Sequence, residues 1–380
     1  MKWEYKTLDR LGKISRGKSK HRPRNDPRLF RGKYPFIQTS DVKNADYYIT
    51  EYSDTYNDFG LEQSRLWDAG TLCITIAANI ADTGVLAFPA CFPDSIMGFV
   101  PYKGVANTRF IKGCFDILQQ DCKQISQGTA QDNLSWKKLS TIKFPAPPYD
   151  IQCRIADILS AYDNLIENNQ KQIKLLEEAA QRLYKEWFVD LRFPGYEDTS
   201  IVDGVPEGWV KANVGSLIGK TTRAKQIVTS NYQKNGRIPI IDQSRDFIAG
   251  YTDDIEALVD ISTPIIVFGD HTRILKLIQF PFAKGADGTQ LIVSNCHNMP
   301  QRLLYCSLIN IDLSNYHYAR HFKYLKSEEI LVPTTEIANK FEAFTTDIFV
   351  QIQNYRNILL QAQQMRDLLL PKLMSGELEV

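Results

Sequence analysis

The sequence predicts an α+β chain that contains one plan twice. Two strand-rich α/β domains are separated by two long helices forming an intramolecular antiparallel coiled coil, with a pseudo-twofold internal repeat. Three observations predict this. An apolar seam with a 3.5-residue period runs through residues 151–191. The same seam returns 186 positions later, at the C-terminus. The segments outside the seams share short landmarks in one order.

The first seam is Ile155, Leu159, Tyr162, Ile166, Asn169, Ile173, Leu176, Ala180, Leu183 and Trp187. Its spacings of four and three are the a/d pattern of a coiled coil. No Gly or Pro interrupts it; Pro147-Pro148 precede it and Pro194-Gly195 follow, which is ordinary helix punctuation. The second seam is Phe341, Thr345, Ile348, Ile352, Tyr355, Leu359, Ala362, Arg366, Leu369 and Leu373. Thr345 and Arg366 break its apolar pattern, and Pro371 is expected to kink or end the helix. Either seam alone would leave a large apolar stripe in water, so the two are expected to pair. Packing of each seam on its own domain, or dimerisation, are the alternatives. A whole domain separates the helices, so both directions are reachable, and the antiparallel one supplies a pseudo-twofold axis.

The globular segments repeat as well. Trp3 opens one and Trp209 the other; GKYP at 32–35 answers GRIP at 236–239. LCITIA (72–77) answers IIVFGD (265–270), and FPACFPD (88–94) answers FPFAKGAD (280–287). Both segments are rich in Ile, Val, Thr, Phe and Tyr between Gly, Pro and Asn-Asp turns, the composition of strands. The expected boundaries are a first domain at 1–144, a helix at 145–193, a linker at 194–208, a second domain at 209–332 and a helix at 333–380.

With 380 residues, 43% hydrophobic and 23% charged, the chain is long enough for several cores and ordinary in composition. The net charge of +1 means that any polyanion site must come from local clustering. Seven cysteines without a C-x-x-C pair, and no signal peptide or apolar run near 18 residues, predict reduced thiols and a cytoplasmic protein with no membrane contact. His317 and His321 are four apart, but no acidic third ligand accompanies them, and no metal is expected.

GKISRGKS, Gly12 to Ser19, matches the phosphate-binding pattern G-x-x-x-x-G-K-[ST]. That pattern works only after a buried strand and at the start of a helix. WEYKTLDRL before it is charged and mixed, and Pro23 and Pro27 after it forbid a regular helix. Its counterpart in the second segment, GSLIGKT (215–221), is one residue short. A nucleotide-hydrolysing fold is therefore not expected. APPYD (146–150) approaches an amino-methyltransferase motif, but Ala146 has no side-chain acceptor for the target amine. It reads instead as prolines before a helix with Asp150 in the first turn. No catalytic constellation is recognisable, and no enzyme activity is expected of this chain.

Charge placement is the informative feature. Arg10, Lys13, Arg16, Lys18, Lys20, Arg22, Arg24, Arg28, Arg31 and Lys33 face only Asp26 in opposition. Arg16, Lys18, Lys20, Arg22, Arg24, Arg28, Arg31 and Lys33 are candidates to neutralise phosphates, with Asn25 and Gln38 nearby to read base edges. In the second segment HYARHFKYLK offers Tyr318, Arg320, His321 and Lys323. The Gly-rich polar stretches SQGTAQDN (126–133) and GADGTQ (285–290) nominate Gln131 and, beside Lys284, Gln290. A solvated charge run, and hence a scaffold without DNA contact, is the alternative.

The whole chain resembles the specificity (S) subunits of type I restriction-modification systems. The resemblance is strongest in PAPPYDIQCRIADILSAYDNLIENNQKQIKLLEEAAQRLYKEWFVDLRFPG and LLLPKLMSGELEV, and extends to RPRNDPRLFRGKYPFIQTSDV and YARHFKYLK. It implies that 1–144 and 209–332 are target recognition domains, each binding one half of an asymmetric, bipartite double-stranded DNA target. The helices would be spacers that also dock two methyltransferase (M) subunits methylating adenine N6. Restriction (R) subunits would join that complex. S-adenosylmethionine would belong to the M subunits, ATP and Mg to the R subunits, and no cofactor to this chain. The lead-in VPTTEIANKF to the second helix lacks the double proline of the first, which departs from a strict repeat.

Overall fold

The computed structural model describes residues 3–76, 81–125, 139–221, 224–316 and 320–380. The chain divides into two compact units, Met1–Asn168 with Leu359–Val380, and Asn169–Ile358. Both long helices therefore contribute to both units.

In the first unit the strand Glu4–Lys6 pairs antiparallel with Phe144–Ala146, just ahead of the first long helix. A one-turn helix, Leu8–Leu11, buries both leucines. A five-stranded sheet follows in the order Gly12–Arg16, Ile96–Pro101, Leu72–Thr75, Thr83–Leu86, Tyr48–Ile49. Every residue of Leu72–Thr75 and Thr83–Leu86 is buried, so these strands are covered on both faces and show no apolar–polar alternation. The second sheet runs Asp54–Tyr56, Phe30–Phe36, Ala90–Cys91, Leu66–Trp67. Phe110, Ile111 and Phe115 on the helix Thr108–Ile125 pack into one core with Leu72, Ile74, Phe99, Leu159, Leu370 and Leu373.

The second unit repeats this plan. Val210–Asn213 pairs antiparallel with Glu329–Val332, and a one-turn helix, Val214–Leu217, follows. One sheet has the order Leu275–Ile278, Ile265–Gly269, Thr289–Ile292, with Ile265–Gly269 wholly buried at its centre. The other runs Gly250–Thr252, Ile238–Ile241, Phe282–Lys284, Leu258–Val259. Its senses match the first unit's second sheet: outer pairs antiparallel, central pair parallel. The register agrees too. Phe36 faces Cys91 and Ile240 faces Ala283, which are equivalent places in GKYPF/GRIPI and in FPAC/FPFA.

No seam position in either helix is exposed; each is buried or half-buried. The first helix spans Tyr149–Tyr184 and closes in a π-helical stretch, Lys185–Val189, that holds Trp187. Within the first unit Asp163 meets Arg366 and Arg154 meets the Val380 carbonyl; within the second, Glu177 meets Arg356 and Tyr184 meets Phe341. In both units, then, the two helices run antiparallel. Thr345 fits the seam by returning its hydroxyl to the Phe341 carbonyl, at 2.9 Å. Arg366 does so by pairing with Asp163 at 3.3 Å.

Three expectations need correction. Pro371 does not end the second helix, which spans Thr335–Ser375. An interior proline costs about 3 kcal/mol, but the turn beyond it buries Leu373 and Met374, at about 1.5–3 kcal/mol each. Gly376, at φ +73, then closes the helix. The segment 194–208 is more than a linker: Ile201–Val202 and Val205–Pro206 form a hairpin around Asp203-Gly204, both at positive φ, the tight turn that Asp-Gly favours. Finally, GSLIGKT is not the structural counterpart of GKISRGKS. Gly12–Arg16 is a strand, whereas Gly215–Leu217 lies in the one-turn helix equivalent to Leu8–Leu11.

Candidate nucleic-acid interface

GKISRGKS has no phosphate cradle. Its first half is itself the strand Gly12–Arg16, and no helix begins at Lys18-Ser19. Gly17 instead passes so close to the neighbouring chain that an added Cβ would lie 2.3 Å from the Pro93 carbonyl oxygen. Lys18 and Lys20 donate their backbone amides to the carbonyls of Phe92 and Gln63, and the Ser64 hydroxyl donates to the Lys18 carbonyl.

The basic run is thus a folded loop, and several of its charges hold it in shape. Asp26 is buried; it accepts from the Arg28 backbone amide and guanidinium, and His21 Nε2 lies 2.7 Å from it. Those bonds, Arg28 foremost, hold its carboxyl well below the usual range. Arg22 donates to the carbonyls of Ser19 and His21. Arg24 pairs with Asp94 at 2.7 Å, and Lys33 lies 3.7 Å from Asp58. Exposed without an ion pair among the described residues are Lys13, Arg16, Lys18, Lys20, Arg22 and Arg31; of these Arg22 is held by backbone carbonyls, and Asn25 is exposed beside them. Arg31 sits at φ +64 where the register of its strand slips between Phe30 and Tyr34, a bulge that re-aims a side chain.

Gln38 departs from its expected place. It caps the helix Thr39–Lys43 through a reciprocal arrangement with Asp41, and its Nε2 donates to Asp54 at 2.7 Å. Its side chain therefore serves the domain itself. Gln131 lies outside the described residues.

In the second unit Arg320 and Lys323 are exposed, while Tyr318 lies outside the described residues. His321 is buried, its backbone amide donating to the Asp270 carbonyl and burial lowering its pKa. It is therefore a packing residue, not a surface contact. Lys284 and Gln290 are half-buried on strands, and burial lowers the Lys284 pKa. The sequence reading missed Arg245 and His271, both exposed in loops beside GADGTQ. Their isolated charges in mixed segments form no run, so only the sheet topology brings them together.

Among the described residues there is no metal-ligating cluster, and no helix is long and apolar enough to cross a membrane. One frame present twice, each copy with an exposed basic rim, defines a class: a duplicated recognition protein. The comparisons with known proteins say which. The family model for the type I restriction modification DNA specificity domain matches residues 1–178. The chain is 24% identical over 412 residues to the type I restriction enzyme MjaIX specificity subunit of Methanocaldococcus jannaschii, across 100% of this chain and 94% of that protein. It is also 24% identical over 203 residues to the EcoR124I/EcoR124II specificity subunit of Escherichia coli, across 50% of this chain and 48% of that one. The S subunit of a type I restriction-modification system from M. genitalium has the same fold, with a TM-score of 0.60 at 14% identity over 98% of this chain and 96% of that one. Residues 1–178 match the DNA specificity domain of type I restriction-modification systems, and over its whole length the chain is similar to a specificity subunit of such a system, a likeness that supports a DNA-recognition role.

Proposed function

We propose that residues 1–144 and 209–332 each read one block of an asymmetric, bipartite DNA duplex, and that the two helices fix the distance between the blocks. The observation that carries this is one four-stranded sheet, with one strand order and one set of senses, built twice and edged differently. After Phe30–Phe36 the first unit forms the capped helix Thr39–Lys43. After Ile238–Ile241 the second forms an irregular loop. A common frame with unlike edges suits a target whose halves differ. Two equivalent readers on one face of B-DNA would centre their blocks about one turn apart, ~10 bp or ~34 Å.

In this reading the exposed sides of the helices dock two M subunits, which bring S-adenosylmethionine and methylate adenine N6. R subunits bring ATP and Mg, and the assembly works in the cytoplasm. Arg16, Lys18, Lys20 and Arg31 meet phosphates in the first half, and Arg320 and Lys323 in the second. Arg22, Arg24 and Arg28 act through the shape of the loop.

The test is duplex binding by the full chain across a salt series. Lys18→Ala should weaken binding to all sequences about equally and reduce the slope of log K against log salt by about one unit. An unchanged slope would remove Lys18 from the phosphate contacts. A wild-type chain with no salt dependence would favour the scaffold reading.

A further inference from the structure

Three loops of the second unit, 242–247, 270–273 and 285–288, meet at one edge of the two sheets. Glycines let them approach. An added Cβ on Gly269 would lie 2.1 Å from the Thr272 hydroxyl, one on Gly285 2.6 Å from Asp242 Cβ, and one on Gly288 2.6 Å from His271. Gln243 joins the three. Its Nε2 donates to the Asp287 carbonyl at 2.8 Å, its Oε1 accepts from the His271 amide at 3.1 Å, and its own carbonyl accepts from the Thr272 hydroxyl at 2.7 Å. Lys276, 5% exposed, donates from Nζ to the carbonyls of Asp242 and Asp246 and so fixes both ends of the first loop. Buried Asp270 ties the hairpin tip to the helix His321–Ser327, accepting from the Phe322 amide at 2.7 Å. Such cross-bonding from buried groups makes a loop edge rigid before any ligand arrives.

This fixed edge presents Arg245 and His271, exposed alongside Asp246, Thr272, Arg273 and Asp287. Arg245 has no ion pair among the described residues. A domain that needed only packing here would gain nothing by clamping an exposed Arg loop with a buried Lys and a shared Gln. A guanidinium on a rigid loop has the geometry for a bidentate contact to the O6 and N7 acceptors of guanine, and an imidazole can bond to a neighbouring base edge.

We infer that Arg245 and His271 read bases in the block bound by the second unit, Arg245 taking a guanine from the major groove, with Gln243 and Lys276 as positioning residues. The inference rests on the DNA-reading role proposed above and assigns that role to residues.

The test is selection from a randomised duplex library by the full chain, comparing wild type with Arg245→Ala, Arg245→Lys and His271→Ala. In Arg245→Ala, discrimination for guanine at one position should fall by roughly 5–150-fold, the span expected for a bidentate base contact, with the other block unchanged. Arg245→Lys should keep the charge and overall binding yet lose the same preference, because a lysine lacks the fork. His271→Ala should relax a position in the same block, and Gln243→Ala should relax both. Unaltered preferences in Arg245→Ala and His271→Ala overturn the inference and leave the DNA-reading role standing. A uniform loss of affinity with preferences intact makes Arg245 a phosphate contact and also overturns it. A wild-type chain that selects no sequence overturns both.

Discussion

Lys276 illustrates how single residues here serve a surface that they do not form. It lies on a strand, buried, and its ammonium group is satisfied by two backbone carbonyls, with no carboxylate in ion-pair contact among the described residues. Burial lowers its pKa from 10.5 to about 8. Between those values the unfolded chain still holds a proton that the folded chain has released, so stability rises with pH through that window. The gain is on the order of 1–3 kcal/mol. Unfolding measured from pH 7 to 10 should show this rise in the wild type and a flatter curve in Lys276→Met; parallel curves would contradict the account. Nothing in ILKLI announces such a role, because a buried lysine is defined by the loops that fold over it. The basic run shows the opposite case. Its charges were legible in the sequence, but composition counts charges and not partners, so the ties of Arg24 to Asp94 and Arg28 to Asp26 emerged only from the fold.

At the scale of elements, the helices were the most legible part, because a 3.5-residue period survives without knowledge of the partner. Their ends were less so. The π-helical close and the turn beyond Pro371 depend on Trp187, Phe188, Leu373 and Met374 finding cores to enter. The Asp203-Gly204 hairpin did carry its own signal, a dipeptide between apolar pairs. Each long helix is also fastened to a sheet domain by an arginine at the start of a domain helix. Arg109 pairs with Asp163 at 2.9 Å and Arg302 with Glu342 at 2.6 Å. Asp163 serves Arg366 as well, while the Arg109 guanidinium lies 3.6 Å from the Tyr47 ring centroid. In double-mutant cycles read by urea unfolding, Asp163 and Arg109 should couple by about 1–3 kcal/mol. The more exposed Arg366 should couple to Asp163 more weakly. Equal couplings, or none, would show that the Arg109 contact is not the fastening.

For the whole molecule, the order of landmarks in the sequence predicted the repeat, and the sheets carry it down to the pairs Phe36–Cys91 and Ile240–Ala283. A frame is legible because its buried strands must keep their apolar runs and punctuation. The rims are not, since exposed loop residues answer to a ligand and share no pattern. That is why Arg245 and His271 escaped notice while LCITIA and IIVFGD did not. The central claim is that each unit reads its own block of DNA. It is tested most directly by mapping methylated adenines across a host genome with and without this chain. The account predicts one motif that disappears with the chain: two defined blocks, unlike in sequence, separated by undefined bases and centred ~10 bp apart. A single continuous motif, or a methylation pattern unchanged by deletion, would contradict it.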